Sequence, residues 1–315
     1  MTQMIVASLC HQERLNQDLK RFNRLFGYNE GTFMKVSIVI PVYNEADHLS
    51  ACLSAIAAQI VRPLEVIVVD NNSTDGSAAV AQQFDFVTVL QEPRQGVVHA
   101  RSHGFDAARG DIIARIDADS LLPTDWVSNV ERSFAEDSQL AAVSGAALYY
   151  NVAAAWLFNG IDLFFRRRLS WQLGDRVFLW GANMALRREA WQQVSSALCQ
   201  RGGQHEDYDI AIHLQEMGRS VAFDERLQAR VSSRRIDVGY LDFMRYVWVS
   251  PQTYAQHQIR ARWHMYSLVA ICAVGYLPAR LLHRGYDPVQ DRFSWLQLVA
   301  ARPAVARIDP TTNVA

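Results

Sequence analysis

DIIARIDAD, Asp111 to Asp119, is a hydrophobic run that ends in a pair of carboxylates, and its reading decides the fold. A strand of this kind holds Asp117 and Asp119 at the carboxyl edge of a sheet, where open α/β folds place their ligands. Paired hard oxygens at such an edge suit a divalent cation. Acid pairs at strand ends also occur as plain solvated turns, so the surrounding segments must decide between the two readings.

Upstream, Val36 to Glu45 (VSIVIPVYNE) is a β-branched run stopped by Pro41 and followed by a polar turn, the pattern of a buried parallel strand. Glu65 to Ser77 (EVIVVDNNSTDGS) repeats the design, with Asp70 at the strand end and a turn rich in Asn, Asp and Gly. Leu49, Leu53, Ile56 and Ile60 recur between them at helix spacing, which completes a βαβ unit. Gln95 to Gly110 (QGVVHARSHGFDAARG) reads as a helix opened by Gly96 and closed by Gly110, with Arg101 one turn in. Downstream, the sequence predicts a helix over Pro123 to Asp137 capped by Thr124 or Asp125, and a strand over Leu140 to Tyr149. Helices follow over Arg187 to Ser196 and Glu206 to Met217, the second stopped by Gly218. The start of that last helix, His205 to Ile212 (HEDYDIAI), crowds Glu206, Asp207 and Asp209 into one turn, where acids also simply suit the helix dipole.

Taken in order, VSIVIPVYNE, VVDNNSTDGS, GVVHAR, DAD, GAN and HED resemble the motifs of the family 2 glycosyltransferases, over roughly Met34 to Arg235. The resemblance implies an α/β fold of GT-A type, a mostly parallel Rossmann-like sheet flanked by helices, with a helical C-terminal appendage. It implies roles position by position. Pro41, Tyr43, Asn44 and Glu45 would pack around the base and ribose of a nucleotide sugar, Asp70 would hydrogen-bond the nucleobase, and Arg101 would support the same pocket. Asp117, with Ala118 beside it, would meet the ribose or nearby sugar hydroxyls, and Asp119 would coordinate a metal on the diphosphate. Gly181, Ala182 and Asn183 would lie against the transferred sugar and the acceptor, and Asp207 would be the general base of an inverting transfer; apart from the resemblance, Trp180 beside GAN offers a ring to stack on a sugar, and Glu206 is a further candidate contact.

The chemistry asks for these residue types. A nucleoside diphosphate leaving group gathers negative charge as the anomeric bond breaks, and Mg2+ or Mn2+ held by carboxylates stabilises it. An acceptor hydroxyl is a poor nucleophile near neutral pH, and a carboxylate that takes its proton contributes about 10²-fold to 10⁴-fold. Processive polysaccharide synthases carry QxxRW followed by membrane spans; Gln258 to Trp263 reads QIRARW, one residue longer, which favours transfer of a single sugar. Two other readings stand beside this one. A sugar-phosphate nucleotidyltransferase also places acids at strand ends but carries a Gly-rich basic loop after the first strand, where this chain has the acidic YNEAD; a non-catalytic nucleotide-sugar-binding module would keep the pocket without turnover.

Each residue also has an ordinary role open to it. Asp70 and Asp75 suit Asx turns in NNSTDG, Arg101 suits a surface helix position, and Trp180 suits a core. His99, His103 and His205 lack a zinc spacing joined to a third ligand and read as structural.

Of the 315 residues 50% are hydrophobic and the formal net charge is -1, which fits one large domain plus an appendage and argues against nucleic acid as a partner. Cys10, Cys52, Cys199 and Cys272 are scattered without a CxxC pair, as reduced cytosolic thiols would be. The expected organisation is an extension over Met1 to Phe33 with translation starting at Met34, a transferase domain over Met34 to Arg235, a helical region over Ile236 to Pro303 and a disordered tail over Ala304 to Ala315. Val152 to Leu169 sets Trp156, Leu157, Phe158, Ile161, Leu163, Phe164 and Phe165 ahead of Arg166, Arg167 and Arg168, which fits either an amphipathic helix on an anionic membrane or a core helix with a solvated basic end. Met265 to Leu277 is apolar but shorter than the roughly 20 residues of a spanning helix, so it reads as buried or interfacial. The expected location is cytoplasmic, with peripheral contact on the inner membrane face. The partners are a nucleotide-sugar donor, UDP-linked, and a glycan or lipid-linked acceptor. The oligomeric state is unassigned.

Overall fold

Runs of Val and Ile build the centre of the sheet because β-branched side chains, stiff at χ1, pack well on a pleated surface covered on both faces. The computed structural model describes residues 34–173, 178–199, 203–259, 262–287 and 290–299; the expected N-terminal extension and C-terminal tail lie outside the described residues. In chain order the first half comprises β1 (Val36–Val42), α1 (Ala46–Ala57), β2 (Glu65–Asp70), α2 (Ser77–Ala81), β3 (Val87–Gln91), α3 (Val97–Ala107), β4 (Ile112–Ile116), α4 (Trp126–Glu136) and β5 (Leu140–Tyr150). Then follow α5 (Ala155–Leu173), β6 (Asn183–Arg187), α6 (Arg188–Val194), α7 (Glu206–Glu216) and β7 (Ser220–Ser232), and a 3₁₀ turn over Ser233–Asp237. The C-terminal region holds α8 (Tyr240–Gln256), α9 (Arg262–Arg284), the two-residue strands β8 (Tyr286–Asp287) and β9 (Arg292–Phe293), and α10 (Trp295–Val299).

The main sheet runs β3-β2-β1-β4-β6-β5-β7. Pairing is parallel from β3 through β4 and again between β5 and β7, and antiparallel where β6 sits between β4 and β5. The sheet is therefore mostly parallel, with helices on both faces, as the sequence implies. Alternate residues of the strands feed two apolar layers. Ile38, Ile40, Val66, Val68 and Ile112 pack with Leu49, Leu53 and Ile56 of α1 and Trp126 of α4. Val39, Ile67, Val69 and Ile113 pack with Phe105 of α3, Trp191 of α6 and Ile210 and Leu214 of α7. Burial of such side chains contributes roughly 1.5–3 kcal/mol each, so the sheet edge is a rigid platform.

The C-terminal helices do not stand apart from this platform. His283, buried near the end of α9, reaches Asp237 Oδ2 at 2.8 Å and the Asn151 carbonyl at 2.9 Å, which clasps the 3₁₀ turn. Helix α9 itself is longer than the 13-residue apolar stretch foretells, since it continues through Pro278. Met265–Arg284 is 20 residues with a mean hydropathy of 1.6, long and apolar enough to cross a membrane, and only 22% of its most apolar window is buried. Along this stretch Met265, Val269 and Tyr276 are buried and Ile271, Val274 and Leu277 exposed, so one face packs on the protein and the other is open. Helix α5 also settles differently from its composition: Arg166 is buried, bonding Asp162 at 2.6 Å and stacking on Trp180, and Arg167 pairs with Glu225. Arg166 and Arg167 therefore serve the protein's own side chains, while Trp156, Ile161 and Phe164 lie exposed.

Candidate active site

The strand order reverses between β1 and β4, which are neighbours although two strands separate them in sequence. Such a switch point opens a crevice beyond the carboxyl ends, and both the turn after β1 and the acids after β4 face it by construction. Tyr43, Asn44 and Glu45 form the first wall. Asn44 adopts a left-handed φ of 54° and is stapled to the loop after β2, its amide donating to Ser73 Oγ at 3.1 Å and its Oδ1 accepting from the Thr74 amide at 2.8 Å. Next to it the Glu45 amide donates to Ser77 Oγ at 2.8 Å and the Ala46 amide to Asp75 Oδ2 at 2.9 Å. Asp70, buried at the end of β2, accepts from the Ser73 amide at 3.1 Å. That bond reaches three residues on, whereas Asp75 Oδ1 accepts from the Ser77 amide two residues on, an Asx turn; Pro41 is a half-buried member of β1 paired with Val69.

The second wall is the DAD turn. Ala118 is buried and Asp117 presents a side chain that is 46% exposed. Asp119 is nearly buried, and its Oδ2 accepts from Arg234 Nε at 2.9 Å. The same guanidinium donates to Glu45 Oε2 at 2.6 Å, so Arg234, carried by the 3₁₀ turn after β7, joins the two walls. Behind Asp117 lies Arg115, buried within β4, which approaches Asp117 Oδ1 at 3.5 Å and donates to Glu206 Oε1. Arg101 is also fully buried, 3.9 Å from Glu206 Oε2 and over the Trp191 ring, not on the surface of α3. Burial pushes Glu206 upward, but Arg115 and Arg101 outweigh it and hold the carboxyl below its usual range.

Asp207 heads α7 beside Glu206. Its Oδ2 accepts from the Gly181 amide at 2.7 Å and its Oδ1 from the Tyr208 amide at 2.9 Å, so the carboxylate is fixed in orientation with a second lone pair on each oxygen still to offer. Burial, then the negative charge of Glu206, push it up to about 7 against the pull of Arg115 and of the two amides. A carboxylate poised near 7 is a competent base at physiological pH. Gly181 has a steric reason to lack a side chain: a Cβ there would collide with the Arg115 guanidinium, which packs flat against it.

Three expected sugar-contact residues are placed differently from one another. Asn183 is fully buried and its amide is spent inside the protein: Nδ2 donates to the carbonyls of Ala146 and Leu227, each at 2.8 Å, and Oδ1 accepts from Trp126 Nε1 at 3.0 Å. It bolts β5, β7 and α4 together. Ala182 is buried, and Trp180 has one ring face covered by Arg166 at 3.7 Å.

Arg115 and Arg234 escaped the sequence reading. Arg115 leaves a signal, an arginine in the middle of an otherwise apolar five-residue strand, which requires a buried acid nearby. Arg234 leaves none, because its neighbourhood is set by the long return of β7 and not by local pattern. The donor set at the DAD turn fits a hard divalent cation: Asp117, Asp119 and Glu45 all lie close enough to the Cys52 thiol to raise it, after burial, well above its ordinary value. Asp119 would hold the ion, and Arg234 is the positive charge paired with it in this structure, while Asp117 faces Arg115.

The sequence profile described as glycosyl transferase family 2 matches residues 37–195, from the first strand to the helix before the acidic pair. Glycosyltransferase AglE of Haloferax volcanii is 36% identical over 99 residues, 29% of this chain and 33% of that protein, so the chain matches about a third of AglE's length. The glucosyl-dolichyl phosphate glucuronosyltransferase of the same organism is 24% identical over 64% of this chain and 69% of its own. Among solved structures, the Pyrobaculum calidifontis mannosyltransferase PcManGT in complex with GDP-Man and Mn2+ superposes with a TM-score of 0.58 at 21% identity, covering 89% of this chain and 84% of that one, a likeness of fold. The profile covers half of the chain, and the chain belongs to glycosyl transferase family 2.

Proposed function

We propose that the protein transfers a single sugar, with inversion, from a nucleoside diphosphate sugar to a hydroxyl of a glycan or lipid-linked acceptor. The observation that carries this reading is Asp207, fixed by two backbone amides at the head of α7 and raised to about 7 beside a crevice walled by Glu45, Asp117 and Asp119. The acceptor oxygen attacks the anomeric carbon, the bond from that carbon to the diphosphate oxygen breaks, and the hydroxyl proton passes to a carboxylate oxygen of Asp207. One base suffices for a single displacement, and the displacement inverts the centre.

Asp119 would hold Mg2+ or Mn2+, with Asp117 at the ribose or nearby sugar hydroxyls, and such an ion, when bound, neutralises charge on the departing diphosphate. Arg234 and Glu45 supply a second means of charge control. Donor phosphates compete with Asp119 and Glu45 for the Arg234 guanidinium, whose planar fork suits either partner. Glu206 and Arg115 hold the floor under Asp207 and set its proton affinity. The relatives' names support the acceptor class: one acts on a dolichyl-linked sugar. The donor base is proposed as uracil, although PcManGT was solved with a guanine nucleotide. No observation favours a nucleotidyltransferase, since the turn after β1 carries Asn44 and Glu45 stapled to the next loop. Peripheral membrane contact is supported by the exposed apolar residues of α9, Val274, Leu277 and Leu281.

The test is incubation with UDP- and GDP-sugars and a lipid-linked or glycan acceptor, with and without chelator. Product formation is expected to vanish in excess EDTA and return with Mn2+ or Mg2+, and Asp119→Ala is expected to abolish metal-dependent donor binding. Full transfer in chelator contradicts the metal role.

A further inference from the structure

A second cluster of metal-ligating side chains gathers further along α7, past Glu206 and Asp207. Cys199 follows α6, Asp209 and His213 stand one turn apart on α7, and His257 directly follows α8. One ligand atom from each lies within 4.8 Å of all the others. Cys199 Sγ is 3.9 Å from His213 Nε2 and 3.9 Å from His257 Nε2, and Asp209 Oδ1 is 2.9 Å from His257 Nε2 and 3.4 Å from His213 Nε2. A tetrahedral zinc with arms of about 2.3 Å to sulfur and about 2.1 Å to nitrogen or oxygen requires edges of roughly 3.4–3.6 Å. The measured edges bracket that value.

The surroundings prepare each ligand. Asp209 Oδ2 accepts from the Cys199 amide at 2.9 Å, which turns Oδ1 toward the centre. His213 Nδ1 lies 3.2 Å from Glu216 Oε2, and a proton held there by the carboxylate leaves the Nε2 lone pair for a metal. The two imidazoles meet at 82° with centroids 5.0 Å apart, so they converge on a point and do not stack. A thiol 3.9 Å from two imidazole nitrogens makes a poor hydrogen bond but an ordinary sulfur-to-nitrogen edge of a coordination tetrahedron.

We infer that Cys199, Asp209, His213 and His257 form a structural zinc site. Thiolate, carboxylate and paired imidazoles select zinc over Mg2+ or Mn2+, and four protein ligands close the coordination sphere against substrate. The site is separate in residues and chemistry from the hard-oxygen DAD turn. It stitches α7, two residues beyond Asp207, to the end of α8 and to the chain that follows α6, and it holds whether or not the transfer reaction is as proposed.

The test is metal analysis of the full chain, purified without chelator and without a polyhistidine tag. About one zinc per chain is expected, retained by Asp119→Ala and reduced below about 0.2 equivalents by Cys199→Ser or His257→Ala. Should those variants fail to fold, Co2+ exchange into the unaltered protein is read instead. Thiolate-to-cobalt charge transfer with intense tetrahedral visible bands supports the site. Absence of zinc together with absence of those bands overturns it, as does full zinc content in folded Cys199→Ser and His257→Ala.

Discussion

At the scale of single residues, the site is a problem in where negative charge can be tolerated. Glu206 and Asp207 are adjacent and buried, and the protein resolves the conflict by giving Glu206 the arginines. Glu206 stays ionised and Asp207 takes the raised proton affinity. The sign of the pH dependence follows: a base must be ionised, so transfer is expected to rise with pH along a limb centred near 7 and to fall below it. Glu206→Gln removes the repelling charge and leaves Arg115 facing Asp207, so the limb is expected to move to lower pH. A kcat-pH profile of both proteins checks this, and an unmoved limb contradicts the pairing. Of this arrangement the sequence makes Asp207, Glu206, Asp117 and Asp119 legible, because acids at a strand end and a helix start lie within local motifs. It hides the buried ion pairs. Arg101, a surface helix residue by pattern, turns inward because the acid it approaches is supplied by a segment more than a hundred residues away in sequence.

At the scale of elements, strands β1, β2, β4 and β5 and helices α1, α3, α4, α6 and α7 follow the periodicity, since each buries a predominantly apolar run or stripe. Strands β3, β6 and β7 do not declare themselves. β3 is a short, part-exposed edge, β6 hides behind the GAN motif, and β7 carries Asp224, Glu225 and Arg226 at its bulge against β5, where register shifts between Gly145 and Ala146. Asn183 shows the cost of a local reading. Its place in GAN suggests sugar contact, whereas its side chain joins β5, β7 and α4. Asn183→Ala would orphan two carbonyls and an indole N–H in the core, and is expected to destabilise the fold by about 2–4 kcal/mol. Urea unfolding measures it. A loss near zero would mean that the joint is not structural.

At the scale of the molecule, the sequence divides near Arg235, while the fold draws the C-terminal helices into the site's frame. His283 clasps the turn that carries Arg234, and His257 meets Asp209 at 2.9 Å. Truncation after Arg235 is therefore expected to lower the melting temperature and abolish donor binding; a stable, donor-binding fragment would contradict this coupling. Helix α9 also sets an exposed apolar face on the outside of this frame. Vesicle flotation with anionic lipid is expected to capture the full chain, and Val274→Asp with Leu277→Asp to release it. The sequence alone could not decide this, because apolar content does not say which face another element covers.

The central claim is that Asp207 takes the acceptor proton. It is tested most directly by the single-turnover rate of Asp207→Asn at saturating donor and metal, with donor affinity measured alongside. Donor affinity within a few-fold of the unaltered protein and transfer lower by about two to four orders of magnitude is the predicted result. A transfer rate within tenfold of the unaltered protein would contradict it.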